Sequence, residues 1–327
     1  MADGENEELK KLYYKFGDYE YKTTPKDRVL SGIRDLDYLT KGFELGCVTL
    51  WTGVTNAGKT TVLTMLTKQT IAQGEKVFYF NGEQTKDDFK NNLYKQSVEA
   101  KDIYTVWYKE TAISDTFVKD DKKIALNKLY GDSLFVYNND IPRDIDTLLF
   151  AMEDCRRVYG ARVFVLDNFM QIDIKTQDVY QEQTNIMEKL RTFAVNKNVH
   201  IHLVAHPRKV ERLQTRLTLY DISGSMNLAN KAYNVISIMR VDNIDVESRE
   251  YERLEKELLK IKYDIKETST ILEVLKTKGN SCGLVPMIFE KETKTFKQQP
   301  QILTEIYEKI IHSKPANYDG DTPRFRR

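Results

Sequence analysis

Eight consecutive residues, Gly53-Val54-Thr55-Asn56-Ala57-Gly58-Lys59-Thr60, constrain this chain more than any other feature. They fit G-x-x-x-x-G-K-[ST], the pattern of a phosphate-binding P-loop. The pattern needs a strand before it and a helix after it. The apolar run Cys47 to Trp51 and the helical pattern Thr60 to Ala72 supply both. The two glycines let the backbone curl so that successive N–H groups point inward at a phosphate, and the start of the helix adds partial positive charge. Lys59 is then placed to reach the outer phosphates of a nucleoside triphosphate, and the Thr60 hydroxyl to ligate Mg²⁺. Gly53 to Thr61 are the candidate nucleotide-binding residues. With 15 glycines in 327 residues, a chance match in the right strand–loop–helix context is improbable.

Around this loop the chain alternates expected strands with expected helices. The strands are Lys76 to Phe80, Leu134 to Tyr137, Arg162 to Asp167, His200 to Ala205 and Val235 to Arg240. Helical patterns follow Thr85, Pro142 and Tyr180, and Thr85 has the character of an N-cap, with Asp87 and Asp88 in the first turn behind it. Such alternation predicts an α/β fold, a mostly parallel sheet with helices on both faces. Residues 100–133 read as charged and loosely helical, and 244–267 as a solvated charged helix or antenna. Thr270 to Leu275 and Leu284 to Phe289 read as a late hairpin. At the start, Leu9, Leu12, Tyr13 and Phe16 form one apolar stripe on a short helix, Glu7 to Phe16. It could pack on its own domain or on another subunit. The expected division is an arm over 1–30, a core over 31–300, and a C-terminal helix with a disordered tail over 301–327.

Charge places limits on partners. Lys+Arg number 50 and Asp+Glu 49, so the net charge of +1 is no evidence for nucleic acid, and any such surface must be local. Cys47, Cys155 and Cys282 are widely spaced without a C-x-x-C pair and read as buried or idle thiols of a reducing compartment. No apolar run approaches the roughly 20 residues of a membrane span, and the acidic N-terminus is unlike a signal peptide. A cytoplasmic protein without a membrane partner is expected, in the host cytoplasm if a phage encodes it.

Three further residues sit where nucleotide hydrolysis would need them. Asp167, expected at the tip of a buried strand beside the P-loop strand, can hold Mg²⁺ through water. Glu83, after the second strand, is either the base that activates water or an acid of the turn. His206 ends the next strand, where its imidazole can touch the outer phosphate or serve structure alone.

The whole order now becomes specific: Gly58-Lys59-Thr60, Glu83, Asp167-Asn168, Val204-Ala205-His206-Pro207-Arg208-Lys209, and Gly224-Ser225 ahead of a strand. It resembles the RecA-type ATPase domain of the ring-shaped replicative helicases of the DnaB family, over roughly residues 30–298. The entry Ser31-Gly32-Ile33, Leu36-Asp37, Gly42-Phe43 and Gly46 is similar too. The His-Pro-Arg-Lys segment and the run from Gly224 to Val235 are most similar to the branch that includes the mitochondrial helicase Twinkle.

The resemblance implies a RecA-like P-loop core and an ATP- and Mg²⁺-dependent DNA helicase working as a homohexamer on single-stranded DNA. Primase, polymerase or a single-strand-binding protein are the further partners it suggests. By position, Lys59 and Thr60 would bind phosphate and Mg²⁺, Glu83 would be the catalytic base, Asp167 the metal-shell acid and His206 the phosphate sensor. The loops after His206 and around Gly224 to Lys231 would hold DNA, through Arg208, Lys209, Gly224, Ser225, Asn227 and Lys231. Lys276-Thr277-Lys278 stands where the family commonly carries Lys-x-Arg to reach a neighbouring subunit's ATP, and lysine lacks arginine's planar fork. Tyr233 stands where an acid is usual. With neither a primase module nor a helical collar ahead of the motor, either a minimal, phage-like member or a part of a larger protein is expected, the short N-terminal helix serving as the linker that closes the ring. A RecA-like recombination or annealing ATPase, coating single strands without unwinding duplexes, is the alternative.

Overall fold

Runs such as Val163-Phe164-Val165-Leu166 carry no polar alternation, so a strand made from them must be buried on both faces. That requirement sets the architecture. The computed structural model describes residues 27–108, 113–174, 176–208, 216–222, 226–278 and 281–301. The expected N-terminal helix Glu7 to Phe16 and the C-terminal tail lie outside these residues.

In chain order, β1 (Arg28–Val29) and β2 (Phe43–Glu44) pair antiparallel around α1 (Arg34–Thr40). Then come β3 (Val48–Thr52), α2 (Lys59–Ala72), β4 (Val77–Asn81) and α3 (Lys86–Lys95). Next are β5 (Ile103–Tyr108), β6 (Ile113–Val118), α4 (Asp120–Tyr130), β7 (Leu134–Val136) and α5 (Ile145–Tyr159). After β8 (Val163–Asp167) and α6 (Val179–Lys197) follow β9 (His200–Val204), α7 (Met226–Lys231), β10 (Asn234–Arg240) and α8 (Arg249–Lys260). The described chain closes with β11 (Thr270–Lys276), β12 (Gly283–Glu290) and β13 (Thr295–Gln298).

Nine strands form one sheet in the order β13-β12-β11-β10-β3-β9-β8-β4-β7. From β10 to β7 every pairing is parallel, and from β10 to β13 every pairing is antiparallel. The side-chain period of two divides each central strand between two cores. Val77, Tyr79, Val163 and Val165 face α2, α3 and α4, packing with Leu63, Leu66, Phe89 and Leu126. Phe78, Phe80, Phe164 and Leu166 face α5, α6 and α7, packing with Leu148, Met152, Ile186, Leu190 and Leu228. The parallel core and the late hairpin β11–β12 are as the sequence predicts.

Three expectations are corrected. β9 lies between β3 and β8, so the strand bearing Asp167 is not beside the P-loop strand. Residues 103–108 and 113–118 pair antiparallel as a separate two-stranded sheet, β5–β6, before α4. The run Ile103-Tyr104-Thr105-Val106-Trp107-Tyr108 is β-branched and aromatic, and that preference outweighs the charged neighbourhood. The charged stretch 244–267 is no antenna. Its helix, α8, buries Leu254 and Leu258 against Met239, Val241, Ile244 and Ile271. Two leucines four residues apart suffice for a packing stripe on an otherwise charged surface.

Two fully buried histidines lie on β9 beneath Phe43 and Trp51. His202 Nδ1 accepts the Trp51 indole N–H at 3.2 Å. His200 pairs with the Glu44 carbonyl at 2.7 Å and the Thr49 hydroxyl at 3.1 Å. Burial pushes His200 down to about 4, against the pull of the Glu44 carbonyl, and pushes His202 well below the ordinary histidine value, aided by His200.

Candidate nucleotide site and adjoining loops

The P-loop leaves β3 at Thr52 and enters α2 at Lys59. Gly58 sits at φ +96°, and a Cβ there would lie 2.8 Å from the Phe296 ring of β13, so both its conformation and its neighbour require glycine. At Gly53 a Cβ would lie 2.6 Å from the Ile238 carbonyl oxygen. Lys59 is 7% exposed as a residue, and its ammonium donates to the Gly53 and Val54 carbonyls, each at 3.0 Å. Burial lowers its pKa, opposed by Asp167 and Glu83.

The Thr60 hydroxyl donates to Asp167 Oδ2 at 2.7 Å, and the Tyr79 hydroxyl reaches the same oxygen at 3.3 Å. Asp167 meets Thr60 although a strand separates their parent strands, because Thr60 stands on the first turn of α2 above the sheet. Asp167 is 2% exposed; burial raises its pKa, with Glu83 adding to the rise and Thr60, Lys59 and Tyr79 opposing it. A hydroxyl and one carboxylate are hard oxygen donors. Among the described residues no three His, Cys, Asp or Glu side chains gather to cage a metal. That set fits Mg²⁺, which keeps waters and leans on one or two protein oxygens plus substrate phosphates.

Glu83 lies in the turn after β4. Its Oε1 accepts from Asn168 Nδ2 and lies 3.1 Å from His206 Nε2. Asn168 Nδ2 also lies 2.9 Å from His206 Nε2. Asn168 is fully buried, and its Oδ1 accepts the Met170 N–H at 2.8 Å, which fixes which way the amide points. Lys59, Thr60, Glu83, Asp167 and His206 therefore meet at the C-terminal ends of the parallel strands, where open α/β sheets place ligands. Asn168 is the member that sequence reasoning left without a role. Its signal was its place directly after the strand-end acid.

The expected DNA-contacting residues fare differently. Lys209, Gly224 and Ser225 lie outside the described residues. Arg208 is exposed, its backbone N–H bonded to the Asp221 carbonyl at 2.6 Å, and Asn227 is exposed on α7. Lys231 is paired with Glu188 of α6, and the bond holds that carboxyl below its ordinary range. A DNA phosphate reaching Lys231 would have to displace Glu188.

Lys276 is engaged within its own chain. Its ammonium donates to the carbonyls of Ala229, Asn230 and Ala232, all at 2.8 Å, using its three hydrogens on the C-terminal end of α7. Within the described residues it is a helix cap, as a cation at a helix C-terminus should be. Lys278 instead lies 5.9 Å over the Tyr233 ring, and Tyr233 reaches Glu44 at 3.4 Å. β11 runs antiparallel to β10, with Lys276 opposite Val235, so both lysines sit at the far end of the sheet from their own P-loop. An apolar groove of about 480 Å³ between α3, α4 and β7 shares no residue with this site.

The family model described as the DnaB-like helicase C-terminal domain matches residues 29–298. The chain belongs to this family. It is 26% identical over 219 residues to the Twinkle homolog protein, chloroplastic/mitochondrial, of Arabidopsis thaliana, covering 65% of this chain. The match spans 30% of that relative's length. A solved ATPase domain superposes with a TM-score of 0.66 at 18% identity, covering 90% of this chain and 98% of that one. A DnaB-like replicative helicase, solved in a study of its interactions with primase, gives a TM-score of 0.65 at 18% identity. There 89% of this chain and 66% of the other are covered. The fold of this DnaB-family chain is thus the RecA-like P-loop core of those ATPase domains, with the late antiparallel strands attached.

Proposed function

We propose that this DnaB-family chain is the motor of an ATP-driven replicative helicase that moves along single-stranded DNA as a homohexameric ring. The observation that carries the reading is the Glu83–Asn168–His206 cluster beside Thr60 and Asp167. A P-loop alone binds nucleotide; a carboxylate held by two partners at the same strand ends is what hydrolysis adds.

In this reading Lys59 leaves the Gly53 and Val54 carbonyls for the β- and γ-phosphates. Thr60 and Asp167 would hold Mg²⁺, which when bound would neutralise phosphate charge. Asn168 occupies Glu83 Oε1 and leaves Oε2 to take a proton from water attacking the γ-phosphorus, as ADP departs. His206 Nε2 has two partners within reach, Glu83 and Asn168, and a terminal phosphate oxygen would be a third. Loss of that phosphate would return His206 to Glu83 and shift the chain beyond Pro207, where Arg208 and Lys209 would hold DNA with the segment around Gly224, Ser225 and Asn227. Lys278 would act on a neighbouring subunit's ATP, since it stands at the wrong end of the sheet for its own.

The primase-interacting structural relative supports primase as a partner class. The division into an arm over 1–30, a motor over 31–300 and a tail over 301–327 is part of the proposal. Turnover measured with and without single-stranded DNA, with imaging of the ATP- and DNA-bound particle, tests the reading. DNA-stimulated turnover and six-membered rings are expected. Filaments, or strand exchange in place of rings, would assign the chain to a recombination or annealing ATPase instead.

A further inference from the structure

Arg216 is the first described residue after the basic stretch 209–215, and sequence alone groups it with that stretch. Its surroundings separate it. Nε lies 3.2 and 3.1 Å from the two Glu273 oxygens, and Nη2 lies 2.7 Å from Glu273 Oε1. On its other edge Nη1 donates to Glu257 Oε1 at 3.1 Å, and Nη2 lies 2.9 Å from Glu257 Oε2. The Glu273 side chain on β11 is only 13% exposed, and Glu257 projects from α8. A planar guanidinium forked onto one carboxylate and closed by a second is a positional lock. It cannot serve a DNA phosphate without leaving a nearly buried carboxylate uncompensated.

The lock adds to contacts that already pin residues 218–222 to 207–208. Pro207 bridges Ile222, Arg208 N–H bonds Asp221 O, and the Thr218 hydroxyl and backbone N–H both donate to Asp221 Oδ2, at 2.6 and 2.7 Å. Three residues along β11 from Glu273, Lys276 caps α7 through three carbonyls. One strand therefore grips the returning limb of the basic loop and the end of α7, and the same strand runs into Lys278.

We propose that β11 is a common brace for the limb 216–222 and the C-terminal end of α7, with Arg216 a positioning residue that moors that limb to it through Glu273 and Glu257. A displacement of the β11 end at Lys278 then reaches the 216–222 limb and the end of α7 together, since each is tied to the strand by side-chain bonds. The consequence for DNA rests on the helicase reading; the mooring does not.

The test uses the full chain with Arg216→Gln, Glu273→Gln and Arg216→Lys. Amide exchange without DNA reads the mooring. In the two glutamine variants, exchange over 217–222 should rise about tenfold, the size of a typical coupling between contacting charged groups, while β3, β9 and β10 keep wild-type rates. The half-saturating single-strand concentration for ATPase stimulation should rise by a similar factor of about ten, with turnover at saturating DNA within about twofold of wild type. Arg216→Lys, which keeps charge without the fork, should fall between. Wild-type exchange over 217–222 in both glutamine variants would overturn the mooring. So would faster exchange throughout the core together with lost turnover, which would mark a merely structural pair. A wild-type protein whose turnover ignores DNA rejects the helicase reading, and exchange over 217–222 still decides the mooring.

Discussion

Glu83 and His206 are 123 positions apart in sequence and 3.1 Å apart in space, and Asn168 bonds to both. The three come from the ends of β4, β8 and β9, which the sheet order makes neighbours. If Glu83 is the base, Glu83→Gln should keep ATP binding and slow turnover by about 10²-fold or more, the range of a positioned general base. Asn168→Ala should slow turnover by about tenfold or more while the KM for ATP changes little, because it acts by aiming Glu83. Single-turnover hydrolysis with a fluorescent nucleotide-binding assay separates the two effects. Near wild-type hydrolysis by Glu83→Gln removes it from the chemistry.

Lys59 gives the complementary outcome. Lys59→Ala should abolish nucleotide binding or turnover, because the ammonium held on the Gly53 and Val54 carbonyls is the loop's phosphate-reaching charge. Calorimetric titration with ATP analogue checks it, and ATPase at the wild-type rate would overturn the P-loop assignment.

How much of this was legible in the sequence differs by residue. The P-loop, the parallel core and the late hairpin were readable because each depends on local pattern, glycine spacing or unbroken apolar runs. The place of β8 was not, because strand order is decided by which helix crosses which face. That is why Asp167 was expected beside β3 and instead meets Thr60 across an intervening strand. Lys276 and Lys231 show a second limit. A lysine's charge is visible in sequence, but whether it is already spent on three carbonyls or on Glu188 is a tertiary fact.

The two lysines after β11 should therefore behave differently. Lys276→Ala should destabilise the chain by about 1 kcal/mol, the order of a lost helix cap, read as a shifted denaturant midpoint. Lys278→Ala should leave the midpoint unchanged and lower turnover in the assembled protein. Mixing Lys278→Ala with Lys59→Ala protomers should restore part of the activity, since each supplies what the other's site lacks. A mixture no more active than its parts would contradict action between subunits.

Acid should unfold the protein through His200 and His202. Both are held neutral when folded and take up protons on unfolding, so below the unfolded value near 6.5 the unfolded state binds more protons. Stability from these groups is fully present above that value and is lost as pH falls from 6.5 toward about 4, the folded value of His200. The loss approaches about 1.4 kcal/mol per pH unit for each histidine. Denaturant midpoints between pH 7 and 5 measure it, and a flat profile would contradict the buried neutral pair.

ATP-driven displacement of a forked DNA duplex is the most direct test of the helicase reading, measured for the wild-type chain beside Glu83→Gln. Strand release by the wild type that requires hydrolysable ATP and disappears in the variant is expected. A wild-type protein that hydrolyses ATP on single-stranded DNA yet leaves the fork intact would contradict it.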